Sequence, residues 1–389
     1  MRRAARTAAE MDGNAGAPSP WGSVERLLAI RLDNLGDVLM VTPAIAALRA
    51  SLPRARITLL ASPACAAVRR HFVDVDDAIP FRAPWVRHES GGDEDLGVAE
   101  AALVERLRRE RFDAAVIFTS CSQSPLPAAL LCRLAAIPLR LAHCRENPYG
   151  LLSDWVPETD VIGDGMRHEV ARQLDLVGSV GFRSADPQLR FEVLESDRQA
   201  VAARLASAGG DHGGPWVVVH PGASAPSRRY PAARFGAAAE AIARSTGARI
   251  VFTGGPDEIE LVEQGRRAMA GPSISFAGML SLGELAALIS IADLLVANNS
   301  GPAHVAAAVG TPVVDLYALT NPQHTPWRVP ARVLNRDVPC RHCLKSRCPQ
   351  GHHACLLGVP PAAVASAAVE LLVATRDLAA RPVAEGAEA

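Results

Sequence analysis

The segment 293–320, DLLVANNSGPAHVAAAVGTPVVDLYALT, constrains the fold most, because it reads as a strand, a tight turn, a short helix and a second strand. Residues 298–302 are Asn-Asn-Ser-Gly-Pro, a cluster of turn formers and helix starters. Pro302 suits the first helical position, where its missing N–H would be unpaired in any case, and Gly310 suits the left-handed residue that closes a helix. A helix start beyond the carboxyl end of a strand leaves backbone N–H groups free, so the segment predicts an anion site, with an ordinary capped turn as the alternative.

The same alternation of apolar strands and helices runs through most of the chain. Strands are predicted at 26–32, 57–61, 114–118, 216–220 and 250–253. Helices are predicted at 38–50, 96–109, 195–207, 232–246, 281–291 and 364–374. This pattern indicates parallel sheets with helices on both faces. The proline-rich stretch 120–157 is less regular.

A connection at 185–214, ending in a glycine-rich run, divides the two halves. The predicted fold class is therefore α/β, with two Rossmann-like domains facing a central cleft. We place the first domain at 24–185 and the second at 186–375, with disordered tails at 1–23 and 376–389.

Composition excludes several classes of protein. The net charge of −1 gives no pull toward nucleic acid, and aromatic residues make up only 4% of the 389 residues, which disfavours a base-stacking platform. No apolar run approaches the ~20 residues that span a bilayer. The first 24 residues lack the apolar core of a secretory signal, so we expect a cytoplasmic protein with reduced cysteines.

Two loops of the first half could meet a substrate. Asp37 follows the first predicted strand at a helix start, where it is either a general base or an N-cap residue. Asn34 precedes it in the same loop, and Arg145 lies in the irregular stretch, where a substrate pocket or a solvated loop is possible. We take Asn34 and Arg145 as candidate acceptor-binding residues.

Three loops of the second half could bind a nucleotide diphosphate. The loop 220–231 combines Ser224 and Arg228 ahead of a helix, a pattern that suits phosphate or a solvated ion-paired surface. Glu258 follows a Gly-Gly-Pro turn and could bind ribose hydroxyls or favour a helix N-terminus. In the third loop, Ser300 offers a hydroxyl and His304 an imidazole one turn later. Walker and Gly-x-Gly-x-x-Gly motifs are absent, which disfavours an ATPase or a nicotinamide enzyme.

A cysteine cluster near the C-terminus resembles a metal knuckle in ligand type, although its spacing is not that of a common zinc finger. Its members are Cys340, Cys343, Cys348 and Cys355, with His342, His352 and His353 interleaved. A structural zinc or iron is one reading, and reduced thiols packed in a loop are the other.

Taken together, these loops resemble glycosyltransferase family 9, the ADP-heptose–lipopolysaccharide heptosyltransferases. The resemblance rests on RLDNLGDVLMVTPAIAALRASLP, HPGASAPSRRYPAARF, FTGGPDE and NNSGPAHVAAAVGTPVV in that order, with CRHCLKSRCPQGHHACL after them. It implies a GT-B fold with the donor bound by the second domain, the acceptor by the first and a C-terminal helix crossing back. It also implies inverting transfer of heptose from ADP-heptose to a sugar hydroxyl of the lipopolysaccharide inner core, with no metal required.

The resemblance assigns roles to individual positions. Asp37 matches the family's proposed catalytic base, and Arg228 falls where many members have a phosphate-binding lysine. Ser300, Gly301 and His304 match the phosphate-binding turn.

Two further positions concern the donor. Glu258 matches an acidic residue near the donor ribose. Asn299 is a departure, because many members have aspartate there, and the loss of that charge puts the donor sugar in question.

Other functions remain open beside this one. A family relative could move a heptose-like sugar to another glycan, a natural product or a protein, and the same fold also suits a nucleotide-sugar epimerase or a non-catalytic nucleotide-sugar-binding protein. A lipid-linked acceptor would require at most peripheral contact with the inner face of the inner membrane. The basic run Arg106, Arg108, Arg109 and Arg111 could touch anionic lipid or form a solvated helix face.

Overall fold

The computed structural model describes residues 6–7, 19–86, 96–209 and 214–380. The chain forms two compact units, Met1–Glu192 and Val193–Ala389. The boundary lies at Glu192 and not at residue 185, because the intervening segment is held by the first unit. There, Arg190 N–H donates to Thr42 Oγ1 at 2.9 Å, and Phe191 stacks on His71.

The first unit is built on one sheet of seven parallel strands, in the order β1-β7-β6-β5-β2-β3-β4. The strands are β1 (Arg6–Thr7), β2 (Arg26–Arg31), β3 (Arg56–Ala61), β4 (Asp77–Pro80), β5 (Ala114–Ile117), β6 (Leu139–Cys144) and β7 (Asp154–Pro157). Because β2 lies between β5 and β3, its carboxyl end opens at the middle of the sheet edge.

In the described part of this unit, five helices accompany the sheet, namely α1 (Leu35–Ser51), α2 (Pro63–Ala67), α3 (Val98–Glu110), α4 (Leu126–Leu134) and α5 (Glu169–Gly178). The prediction of an irregular stretch at 120–157 is wrong, since it holds α4, β6 and β7. Its prolines are compatible with these elements because Pro127 lies in the first turn of α4, where no N–H is needed, and Pro138 precedes β6.

The second unit has six parallel strands in the order β10-β9-β8-β11-β12-β13. They are β8 (Trp216–His220), β9 (Arg249–Phe252), β10 (Ile274–Ser275), β11 (Leu294–Asn298), β12 (Val313–Leu316) and β13 (Ala331–Leu334). β8 and β11 are central and adjacent, so the loops that follow them start side by side.

The helices of this unit are α6 (Glu195–Ser207), α7 (Ala232–Thr246), α8 (Ile259–Arg267), α9 (Leu282–Ile291), α10 (Gly301–Val309), α11 (Ala354–Leu357) and α12 (Pro361–Ala380). Gly310 closes α10 with φ +83°, as the sequence predicts. The long α12 packs on this unit's sheet through Val364, Ala368 and Leu371. Its crossing back to the first unit stays a prediction.

Both segments that the sequence predicts as disordered tails contain residues that are ordered in the structure. Pro20–Ser23 form a 3-10 turn whose Trp21 is 1% exposed, and its indole N–H donates to Asp154 Oδ2 at 3.2 Å. A tryptophan that buries its ring and satisfies its N–H cannot belong to a disordered tail. Residues 376–380 are likewise helical, and residues 1–5, 8–18 and 381–389 lie outside the described residues.

Across the described ranges, no helix is both long enough and apolar enough to cross a membrane. The basic run on α3 is partly neutralised within the helix, because Arg106 pairs with Glu110 at 3.0 Å and Arg108 with Glu105 at 2.5 Å.

Candidate active site

A buried arginine organises the carboxyl end of β2. Arg31 is the last residue of the strand, and its side chain is fully buried. Its guanidinium contacts three carboxylates: Nε lies 2.8 Å from Asp33, Nη2 lies 3.2 Å from Asp37 and Nη1 lies 2.8 Å from Glu169 of α5. A buried cation among three carboxylates is stable only if the geometry of these groups is fixed. This cluster therefore holds the loop after β2 in place.

Asp37 is not the N-cap residue of α1. Asn34 occupies that position without a side-chain capping bond, and Asp37 is the third helical residue. Its side chain is 18% exposed, whereas that of Glu169 is completely buried. Of these two partners of Arg31, Asp37 is therefore the one that remains within reach of a substrate.

The electrostatics of the cluster follow from burial. Burial raises the pKa of the Asp33 carboxyl, which Arg31 lowers in part. For Arg31, burial lowers the guanidinium pKa, but the surrounding carboxylates more than offset this and raise it above its ordinary value. Sequence reasoning missed both Arg31 and Glu169, and the one available signal was a charged residue ending a run of apolar strand residues.

Two neighbouring cavities lie at the loops of the first unit, and one of them borders this cluster. One of about 270 Å³ is lined by residues that follow β2 and β5, Asp33 among them. A neighbouring one of about 340 Å³ is bordered by Arg145, which is exposed and donates to the carbonyls of Cys121 at 3.2 Å and Asp160 at 2.9 Å. The predicted acceptor-binding residues Asn34 and Arg145 thus both lie at loops of the first unit.

In the second unit, Asn298 ties together the loops after β8 and β11. Its buried amide oxygen accepts from Tyr230 N–H at 2.9 Å, and its nitrogen donates to Pro221 O at 2.7 Å. Ser300, the N-cap of α10, places its hydroxyl 3.4 Å from the Gly222 carbonyl. The strand-turn-helix predicted from sequence is present, and it presents the first N–H groups of α10 beside the loop 221–231.

The other predicted residues of this turn differ in exposure. Gly301 begins α10, and His304 is 5% exposed one turn later. Ser224 is exposed and Arg228 half-buried on the loop after β8. That loop is anchored by Ser227, whose hydroxyl donates to Lys345 O at 2.6 Å. The structure therefore brings together a helix start, a hydroxyl and a guanidinium-bearing loop.

Asn299 has its amide nitrogen engaged inside the unit. The side-chain nitrogen donates to His324 O at 2.7 Å and to Asp315 Oδ2 at 3.3 Å. Asp315 lies on β12 and is fully buried, and burial raises its pKa to about 7 although Asn299 lowers it. The sequence does not reveal this carboxyl group beneath the turn, because residue 299 follows β11 and residue 315 lies on the neighbouring strand β12.

Glu258 lies against the loop after β8. Its carboxylate accepts from Gly255 N–H at 2.9 Å and lies 3.6 Å from His220 Nε2. Burial lowers the pKa of His220, and Glu258 raises it in part. A Cβ atom at Gly222 would lie 2.2 Å from the Glu258 carboxylate, so only glycine allows this approach.

The four clustered cysteines are half-buried free thiols. In the part of the chain that the structure describes, no three His, Cys, Asp or Glu side chains converge as a metal site would require. Cys340 Sγ lies 3.7 Å from His352 Nε2. The predicted structural zinc or iron is unconfirmed.

Two parallel α/β units with loops at the carboxyl ends of central strands have the architecture of the GT-B fold. The sequence model of glycosyltransferase family 9 (heptosyltransferase) matches residues 100–354. The chain belongs to this family, which confirms the predicted family, the fold class and the assignment as a glycosyltransferase.

Individual relatives match the sequence of this chain along most of their own length. Lipopolysaccharide heptosyltransferase 2 of Escherichia coli K12 is 27% identical over 86% of this chain and 95% of its own. Lipopolysaccharide heptosyltransferase 3 of Escherichia coli is 26% identical over 75% of this chain and 83% of its own.

Two solved structures match the fold. The family 9 glycosyl transferase from Veillonella parvula superimposes with a TM-score of 0.75 at 23% identity, covering 93% of this chain and all of that one. The Escherichia coli ADP-heptose LPS heptosyltransferase II superimposes with a TM-score of 0.69 at 25% identity, covering 90% and 99%.

Proposed function

We propose that this protein transfers heptose from ADP-heptose to a sugar hydroxyl of the lipopolysaccharide inner core, with inversion at the anomeric carbon. The observation that carries the proposal is the partly exposed Asp37 carboxylate, held 3.2 Å from the buried guanidinium of Arg31 at the middle of the first sheet's edge. The family membership and the names of the relatives support the choice of donor and acceptor.

In the proposed reaction, Asp37 takes the proton of the acceptor hydroxyl as that oxygen attacks the anomeric carbon. The new glycosidic C–O bond forms while the bond to the diphosphate oxygen breaks, and its electron pair leaves with ADP. Asn34 and Arg145 are proposed to position the acceptor. Arg31 keeps the carboxylate of Asp37 oriented, which a freely rotating side chain could not achieve.

On the donor side, negative charge develops on the departing diphosphate. The N–H groups at the start of α10, with Ser300 and Gly301, are proposed to stabilise it, because a helix N-terminus favours anions. Arg228 adds a guanidinium to the same loops. Asn299 is proposed to act through the position of the turn, since its amide nitrogen donates to His324 and Asp315.

Two further residues are proposed to bind the sugar-nucleotide donor. His304 is proposed to contact the phosphates from one turn into α10. Glu258 is proposed to accept hydrogen bonds from the donor ribose, since its carboxylate lies against the loop after β8.

The proposed setting is the cytoplasm, with at most peripheral contact at the inner face of the inner membrane and no nucleic-acid partner. No cofactor is proposed for catalysis. A structural zinc or iron at Cys340, Cys343, Cys348 and Cys355 stays a prediction, which metal analysis of the purified protein tests directly.

A mass-spectrometric transfer assay tests the function. The protein is incubated with ADP-heptose and a heptose-deficient lipopolysaccharide core, and we expect a gain of one heptose with release of ADP. Asp37→Asn should abolish transfer while ADP binding, measured by calorimetry, is retained. The control Asp186→Asn changes a carboxyl whose side chain is 58% exposed in the same unit and should behave as wild type. Near-normal turnover by Asp37→Asn would remove Asp37 from the role of base.

A further inference from the structure

One face of α5 is polar and yet fully buried. Glu169, Arg172 and Gln173 are 0%, 1% and 0% exposed, and their spacing of three and four residues places them on the same side of the helix. Charged side chains are almost never buried to this degree unless they are paired, because an uncompensated charge inside a protein is costly. The elements that pack against α5 therefore have to supply the partners of these side chains.

Two arginines divide the buried carboxylates between them. Arg172 Nε donates to Oε2 of Glu158, which follows β7, at 2.6 Å. Glu169 instead accepts from Arg31 Nη1 at 2.8 Å and from Gln173 Nε2 at 2.7 Å. Arg172 Nη1 lies farther from Glu169, at 3.8 Å. Glu158 therefore serves Arg172, and the main cation of Glu169 is Arg31.

Arg31 does not contact its three carboxylates equally. Its guanidinium lies 2.8 Å from Asp33 and from Glu169, but 3.2 Å from Asp37. The nitrogen that contacts Asp37, Nη2, also donates to Ser120 Oγ at 3.3 Å. A carboxylate paired closely with one cation is a weak base, because the cation favours its ionised form. Sharing Arg31 with other carboxylates lets Asp37 be oriented while it keeps more of its affinity for a proton.

We propose that Glu169 is a positioning residue of the transfer reaction, which takes up part of the charge of Arg31 and thereby keeps Asp37 a stronger base. The proposal rests on the proposed function, in which Asp37 takes the proton of the acceptor hydroxyl. Gln173 fixes Glu169 in this role, because its Nε2 also donates to the Thr119 carbonyl at 2.9 Å, in the loop after β5.

The other titratable groups around the cluster are accounted for. Cys65 of α2 lies with its Sγ 3.8 Å from the Asp33 carbonyl, and burial raises the pKa of its thiol, so it stays neutral in an assay near pH 7. Arg172 is paired with Glu158. The side chain of Asp33 is 10% exposed, whereas that of Glu169 is 0% exposed. Replacing Glu169 therefore changes the charge of the cluster without changing the surface that meets a substrate.

The pH profile of kcat in Glu169→Gln tests the proposal. The amide has the volume of the carboxyl group, and its oxygen can still accept from Arg31 and Gln173, but the negative charge is lost. Arg31 should then favour ionised Asp37 more strongly, so the acidic limb of kcat should move to lower pH by about one unit. The plateau should fall about threefold or more, because the base is weaker. The KM values for ADP-heptose and for the acceptor should stay within about twofold of the wild type.

Glu158→Gln is the matched control. It makes the same chemical change in the other buried ion pair of α5, with a side chain that is 4% exposed and whose cation is Arg172. Whatever this variant does to the plateau, its acidic limb should stay close to the wild-type position. A purely structural role for the buried pairs would affect the two variants alike. An equal shift in both variants, or no shift in Glu169→Gln, would overturn the proposal.

The wild type supplies a test that needs no variant. With three carboxylates around one guanidinium, Asp37 should be at least as strong a base as an ordinary aspartate, so the midpoint of the acidic limb should lie above about pH 4. A kcat that stays at its plateau down to about pH 4 would overturn the proposal, even if Glu169→Gln failed to fold.

Carbon-13 NMR of the aspartate carboxyl groups separates this proposal from the proposed function, because it follows ionisation without substrates. The Asp37 signal is the one missing in Asp37→Asn, and its titration midpoint should fall by about one pH unit in Glu169→Gln. That fall without any heptosyl transfer by the wild type would refute only the reaction. Transfer by the wild type with an unmoved midpoint in Glu169→Gln would refute only the role of Glu169.

Discussion

The buried carboxyl group of Asp315 should make the stability of this protein fall as the pH rises. Asp315 is fully buried on β12, and its Oδ2 accepts one bond from Asn299 at 3.3 Å. Its Oδ1 has no hydrogen-bond partner within the described residues. Burial without a cation raises its pKa from 3.8 to about 7.

The sign and size follow from proton linkage. Because the folded-state pKa exceeds the unfolded one, the folded protein binds more protons. The resulting stability is fully present below about pH 4 and is lost as the pH rises toward 7. With the folded value at about 7, one pKa unit is worth about 1.4 kcal/mol, so the loss between about pH 4.5 and pH 8 is about 3 kcal/mol.

The test compares Asp315→Asn with the wild type by urea unfolding at several pH values. The variant keeps an oxygen that can accept from Asn299 but cannot ionise, so its free energy of unfolding should gain about 3 kcal/mol relative to the wild type between about pH 4.5 and pH 8. The control Asp257→Asn changes an exposed carboxyl and should follow the wild type. Parallel pH profiles for Asp315→Asn and the wild type would refute the reasoning.

Three further substitutions test the contacts of the two sites. Arg31→Met should lower the free energy of unfolding by about 3–5 kcal/mol, because it leaves buried carboxylates without their cation. Thermal unfolding measures this loss. A loss under about 1 kcal/mol, the value of an exposed ion pair, would contradict the cluster's role. Gly222→Ala should displace the Glu258 carboxylate and raise the KM for the donor, because the added Cβ would lie 2.2 Å from it; unchanged donor kinetics would exclude Glu258 from donor binding. Asn299→Asp should place two carboxyl groups within 3.3 Å of each other and weaken ADP binding in calorimetry. Adding Asp315→Asn should restore part of the lost affinity for ADP. No restoration would mean that the two residues act independently.

Local signals predicted most of the second unit correctly. Ser281 with Glu284 reads as a capping box, and the structure has both reciprocal bonds at the start of α9. Gly310 closes α10 in the left-handed conformation that its position indicates. These features depend on residues within one turn of each other, so no knowledge of the tertiary fold is needed to predict them.

The stretch 120–157 shows where such reasoning fails. Its prolines suggested irregular structure, yet Pro127 lies in the first turn of a helix, and Arg140 is 9% exposed on a strand. Arg140 donates to Leu151 O at 2.6 Å, in the turn that precedes β7. A buried arginine on a strand is recognised only once its carbonyl partners are placed around it.

The residues of the candidate site also fall into those that local sequence motifs identify and those that only the fold identifies. Asp37 and the turn of Ser300 can be identified from motifs, because each motif is contiguous. Arg31, Glu169 and Asp315 cannot, since their importance comes from pairing across elements. Sequence identifies the residue proposed to meet the substrate, and the fold identifies the residue that orients it.

Both units place a buried ionisable group beneath the loop that is proposed to face a substrate, but the surroundings of the two groups differ. Arg31 is surrounded by three carboxylates and stays charged, which orients Asp37 and gives the adjoining cavity an acidic rim. Asp315 accepts a hydrogen bond from the Asn299 amide, and burial raises its pKa to about 7. A permanently charged support suits a base that must stay oriented at every pH. A carboxyl that is largely protonated below pH 7 suits a turn that is proposed to bind a diphosphate, because a fixed negative charge under that turn would repel the donor.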